Sequence, residues 1–123
     1  MNEQQRKFEV YLDEQIAARK QRSKLLTADD RVDEGNFEKI QANVYEIFKT
    51  VLSVAERVCG RDELAKKRFF LQKAEQIPAS WMTSYERAKL HGDVEKMQIE
   101  SIKLDAIREI KNAQMQIWGK PYD

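Results

Sequence analysis

Residues 37–60 read FEKIQANVYEIFKTVLSVAERVCG, and this stretch decides the fold. Phe37, Ile40, Val44, Ile47, Val51, Val54 and Val58 recur at spacings of 3, 4, 3, 4, 3 and 4, a seam of more than three heptads. Tyr45, Phe48, Leu52 and Ala55 lie beside that seam and widen it. A helix apolar over so much of its girth is touched by neighbours on more than one side. The stretch therefore predicts a central helix in an all-α protein, ended by Gly60.

Upstream, residues 27–36 are polar and acidic and read as a linker, with Thr27 and Asp30 spaced to cap a helix and Gly35-Asn36 as an alternative break. Before it, residues 1–26 predict an N-terminal helix whose apolar row is thin: Phe8, Leu12 and Ile16, with Tyr11, Ala17 and Ala18 beside them. Loose packing is the expectation for this helix. Arg19, Lys20, Arg22 and Lys24 crowd its last turns, where positive charge opposes the negative helix end.

Downstream, Asp62 is placed to cap a stretch from Glu63 to Gln76 holding Leu64, Ala65, Phe69, Phe70, Leu71 and Ala74. Pro78 interrupts it and suits the first turn of a new helix reaching His91, with Trp81, Met82, Tyr85 and Ala88 inward. Whether 62–91 is one kinked helix or two is open at this stage. Gly92-Asp93 is a stop followed at once by a start, the mark of a helical hairpin. The last helix, from Val94 to Trp118, carries Ile99, Ile102, Ala106, Ile110, Ala113 and Ile117 at an average spacing of 3.6, with Leu104, Ile107 and Met115 off the row. Gly119-Lys120-Pro121 closes it, and Tyr122-Asp123 reads as loose.

The expected fold is a single domain over 1–123, an all-α antiparallel up-down bundle of four or five helices. Its main packed pair is expected to be 37–58 with 99–117. With 123 residues, four glycines and two prolines, the chain has few of the turn residues that sandwiches and barrels consume. It carries 22 basic and 21 acidic residues, so no global field attracts nucleic acid or an anionic membrane. The longest apolar runs are far below the ~20 residues that cross a bilayer. Cys59 stands alone, which fits a reducing compartment, and no apolar signal segment follows the polar start. A cytoplasmic protein is expected.

Catalytic constellations are thin. His91 is the single histidine and sits at an expected helix end, where it complements the dipole. Cys59 is the single thiol, at the end of the most apolar helix. Two such residues cannot complete a four-ligand zinc site. A calcium-loop register with Gly35 sixth puts Val32 and Gln41 where oxygen ligands belong, and fails. The glycines at 35, 60, 92 and 119 are too dispersed to cradle phosphate. No catalytic, cofactor-binding or metal-binding residue is assigned, and a non-enzyme is expected.

Two kinds of partner are left. Residues 61–92 hold seven basic and four acidic residues, and Arg61, Lys66, Lys67, Arg68 and Lys73 lie close to Phe69 and Phe70. Cations beside aromatics suit phosphates and stacked bases, so these five residues are the candidate nucleic-acid contacts. A helix-turn-helix does not fit, because the gap between its fragments is too long. The leading expectation is a small interaction or adaptor protein whose partner is another protein or a second copy of itself. Trp81, Leu104, Met115 and Trp118 are its candidate interface residues, the core being the alternative place for both tryptophans. A membrane partner is not expected.

Overall fold

A computed structural model describes residues 2–120 and is an all-α helical bundle. Five α-helices follow one another: α1 (Glu3–Ala28), α2 (Val32–Cys59), α3 (Glu63–Gln76), α4 (Ala79–Leu90) and α5 (Val94–Ala113), the last running into a π-helical turn, Gln114–Trp118. The expectations for Pro121, Tyr122 and Asp123 fall outside the described residues.

The helices begin and end where the local chemistry directs. Asn2, Asp62 and Asp93 each accept a backbone N–H three residues on, capping α1, α3 and α5. At the end of α4, Gly92 has φ +69°, and Asp93 N–H reaches back to the Ala88 carbonyl at 2.8 Å. That is a Schellman closure, and it folds α4 directly onto α5 as the expected hairpin. The same closure ends α1 with an aspartate in the glycine position: Asp30 has φ +59°, and Arg31 N–H donates to the Leu26 carbonyl at 2.8 Å.

This last turn corrects the expected linker. Only Asp29–Arg31 separate α1 from α2, and 27–36 is otherwise helical. Gly35 is no break. It lies inside α2 where the two helices come closest, so that a Cβ there would stand 2.6 Å from Thr27 Oγ1 and 3.1 Å from the Ser23 carbonyl. Thr27 and Asp30 do not cap α2, whose first residue follows Arg31 with no side-chain cap. Asp33 and Glu34 instead place negative charge in its first turn.

The directions follow from who meets whom. Gln5 pairs with Glu56 and Arg19 with Glu38, so α1 and α2 are antiparallel. Glu109 on α5 meets Tyr45 on α2, and Glu95 and Ile99 share a groove with Phe37 and Ile40, so α5 runs parallel to α2. Trp118 meets Glu63, Lys111 meets Glu75, and Lys103 lies over Trp81, so α3 and α4 together run antiparallel to α5. The chain is an up-down-up-down bundle whose third arm is broken in two. Ile77 and Pro78 keep right-handed helical backbone between α3 and α4, and the arm bends there because proline has no N–H to continue the ladder.

The core is an aromatic stack. Phe8, Tyr45, Phe48, Phe70 and Trp118 are fully buried, and Phe8 and Phe70 each lie with their ring centres 6.0 Å from that of Trp118. Two expectations change here. The most extensive contact is α1 with α2, not 37–58 with 99–117. The core side of α2 takes Val44 and Val51 from the heptad seam but is completed by Ala42, Tyr45, Phe48, Leu52 and Ala55, while Ile47 and Val58 of the seam are exposed.

Nor is α1 loosely packed. Its buried stripe is Gln5, Phe8, Leu12, Arg19 and Ser23, with Ile16 packed against the core between them. The spacing is regular and helical, but half of the stripe is polar, so apolar counting undervalues it.

Candidate functional site

Two polar networks hold the bundle, and both take side chains that the sequence had assigned to solvent or to ligands. Lys66 is 1% exposed. Its Nζ donates to Gln5 Oε1 at 2.9 Å and Glu56 Oε2 at 3.1 Å, and pairs with Glu63 Oε1 at 2.6 Å. Gln5 Nε2 donates to the same Glu56 oxygen at 2.6 Å, and Trp118 Nε1 donates to the other oxygen of Glu63 at 3.1 Å. All three Lys66 donors are used, which is what allows an ammonium to be buried. Burial pushes its pKa down, but the Glu63 and Glu56 carboxylates outweigh burial and hold it above the ordinary lysine value. The Gln5 hydrogen bond, opposed by burial and aided by Lys66, holds Glu56 below the ordinary carboxylate value.

The second network joins α1, α2 and α5. One Arg19 nitrogen donates to Glu109 Oε2 at 3.0 Å and to the Tyr45 hydroxyl at 3.4 Å, and the guanidinium lies 4.9 Å from the Tyr45 ring centre. Tyr45 donates to the same Glu109 oxygen at 2.9 Å and lies 3.3 Å from the Tyr11 hydroxyl. Burial, then the Tyr11 contact, pushes the Tyr45 phenol far up. Glu38 forms longer ion pairs with Arg19 at 3.8 Å and Arg22 at 3.9 Å. The basic cluster at the end of α1 is thus partly internal: Arg19 is buried glue.

These placements correct the candidate nucleic-acid contacts. Lys66 and Lys67 are buried and unavailable to a phosphate. Arg61 and Arg68 are exposed, while Lys73 lies over the half-buried Phe69 ring at 5.6 Å and Phe70 is core. No continuous basic and aromatic face forms. His91 is exposed at the end of α4, its backbone N–H bonded to the Arg87 carbonyl, and Cys59 is half-buried. Among the described residues no group of His, Cys, Asp and Glu could hold a metal ion, and no helix is long and apolar enough to cross a membrane.

The candidate interface residues divide. Trp118 belongs to the core. Trp81 and Leu104 are half-buried between α4 and α5, and Met115 is exposed on the π-helical turn. The face that stands out was not among them. α4 packs essentially on α5 alone and buries only Ala88 of its twelve residues. Met82, expected inward, is 48% exposed, and Leu90 is 82% exposed two turns later. Met82, Thr83, Glu86, Arg87 and Leu90 line a shallow concavity of about 330 Å3. Beyond Met82 it continues into a second, of about 270 Å3, between Pro78, Leu104 and Arg108. The signal was present in the sequence as a Met82, Glu86, Leu90 row at spacing four, but its middle member is charged and the row does not look apolar.

The chain matches no known family profile, no curated protein sequence and no solved structure.

Proposed function

We propose that this protein is a small, non-catalytic helical interaction protein of the cytoplasm, and that the α4–α5 hairpin is its docking element. One observation carries the reading: α4 is covered on one side only, and its open side presents Met82 and Leu90 about a concavity. Apolar side chains gathered on one helix face mark contact sites, whereas singly scattered ones do not. The rest of the bundle is tied internally by the Lys66 and Arg19 networks, which suits a rigid platform. A lone, half-buried Cys59 fits a reducing compartment.

The test is site-specific photocrosslinking. A photoreactive side chain at position 82 is compared with one at the exposed Lys7 on α1, in extracts of the cells that make the protein. Discrete, saturable adducts from position 82 that vanish in the Leu90→Glu chain are expected. Equal, diffuse labelling from both positions would overturn the reading.

A further inference from the structure

The open face of α4 is complementary to itself. The exposed Leu90 at one end and Met82 with Thr83 at the other bound one shallow concavity. Between them stand Glu86 and Arg87, opposite in sign, exposed, and without an ion pair elsewhere among the described residues. By contrast, the neighbouring cations Lys103, Arg108 and Lys111 on α5 are already matched to Glu100, Asp105 and Glu75. A surface with an apolar side chain at each end of a concavity and one charge of each sign between them meets the requirement for an isologous contact, in which one patch binds its own copy about a two-fold axis.

From this face we infer that the occupant of the docking site is a second copy of the chain, the two α4 helices crossing antiparallel. The inference rests on the docking role of α4 and names its partner. A two-fold axis passing between Glu86 and Arg87 puts each Glu86 opposite the Arg87 of the other copy, twice over. The same axis sets Leu90 of each copy over the Met82–Thr83 step of the other, at the far rim of the concavity. Any other antiparallel register loses one of these matches: shifting the axis by half a residue onto Glu86 puts the two glutamates face to face. A parallel pairing sets Leu90 against Leu90, and Glu86 and Arg87 each against its own like charge.

The size of the face sets the strength of the contact. A helix of twelve residues is about 18 Å long, and one crossing covers less than the ~800 Å2 per partner of a standard stable interface. The expected dimer is therefore reversible, with a dissociation constant on the order of tens of micromolar. It exchanges with the monomer as concentration changes.

The experiment is sedimentation equilibrium of the full-length chain across a wide concentration range. The weight-average mass is expected to rise from the 14.5 kDa of the monomer towards twice that value. Leu90→Glu, at a position too exposed to affect folding, is expected to raise the dissociation constant at least ~10-fold, with circular dichroism unchanged. Glu86→Arg sets like charges against each other and weakens association several-fold. Adding Arg87→Glu to it exchanges the two signs and restores association to within about threefold of the parent. A parent chain that stays monomeric throughout overturns the self-pairing. So does a dimer that ignores Leu90→Glu, or a double variant no better than the single one. Discrete crosslinks from position 82 to a different protein, with a monomeric parent, would leave the docking role standing and remove only the second copy.

Discussion

Trp118 Nε1 donates to Glu63 Oε2 across 3.1 Å, tying the last helical turn of the chain to the first turn of α3. The bond depends on the π-helical turn. Gly119 N–H reaches the Gln114 carbonyl at 3.0 Å, and the widened turn carries Trp118 beneath Phe8 and Phe70. Glu63 also holds Lys66, so the end of the chain and the start of α1 are fastened through one buried cation.

Trp118→Ala is accordingly expected to destabilise the fold by ~3–5 kcal/mol, the range for removing a large buried aromatic. Trp118→Phe keeps an aromatic ring in the stack but loses the N–H and part of the ring volume, costing about 1–3 kcal/mol. Urea unfolding of both variants checks this, and a change below 1 kcal/mol for Trp118→Ala would show that the terminal turn does not belong to the core.

Lys66→Met leaves Glu56 and Glu63 facing each other without their shared cation. Removing one partner of a buried pair costs ~3–5 kcal/mol, and the partial exposure of the two carboxylates reduces this to about 2–3 kcal/mol. The unfolding midpoint should fall with an unchanged slope. A neutral or stabilising result would mean that the apolar methionine replaces the network at no loss.

Glu56 contributes to the acid limb of stability. Glu56 has a lowered pKa in the fold, so its contribution is present above the ordinary carboxyl pKa near 4.5 and is lost as pH falls through the lower, folded value. Glu56→Gln should flatten the stability profile below pH ~4.5 relative to the parent. At the other end the sign reverses. Lys66 and Tyr45 are both raised, so their contributions are complete below their ordinary values and are lost as pH rises through the folded ones. In an alkaline titration followed by phenolate absorbance, Tyr45 should ionise only as the chain unfolds.

At the α1–α2 crossing, Gly35→Ala would gain ~1 kcal/mol of helix propensity. It would lose ~1–3 kcal/mol to overpacking against Thr27 and the Ser23 carbonyl. A net loss of about 1 kcal/mol is expected, and Thr27→Ala in the same chain should recover part of it by removing the nearer obstacle. Thermal unfolding of the two single variants and the double variant reads the coupling directly.

Asp30 occupies a left-handed position with φ +59°. Asp30→Gly should stabilise by ~0.5–1 kcal/mol, because glycine adopts that conformation without a Cβ penalty. A loss on substitution would show that the aspartate side chain stabilises the turn.

What sequence periodicity could see and what it could not differ element by element. The helix starts at Asp62 and Asp93 and the stop at Gly92 were legible because caps and left-handed closures act within a few residues of chain. The interior row of α5 was legible in part: Ala106, Ile110 and Ala113 are buried, but so are Ile107, read as off the row, and Glu100. The role of α1 was not, since Gln5, Arg19 and Ser23 lie in its buried stripe and burial of a polar side chain depends on a partner distant in sequence. Lys66 and Lys67 misread as ligand contacts for the same reason. Nothing near Lys66 in the chain announces that Gln5, 61 positions away, will accept its hydrogen bond.

The sequence by itself determined the class of the protein, an all-α bundle with helix starts at Asp62 and Asp93 and a stop at Gly92, because propensity, capping and hydrophobic period are local or nearly so. The tertiary structure decided which faces of α1, α2 and α4 are inside. It turned α2 so that Tyr45 and Phe48 point inward while Ile47 faces solvent, swung Trp118 into the core, and left Met82 and Leu90 in the open. A helix apolar on several sides has several faces it can bury, and only the simultaneous packing of every helix against the others selects one.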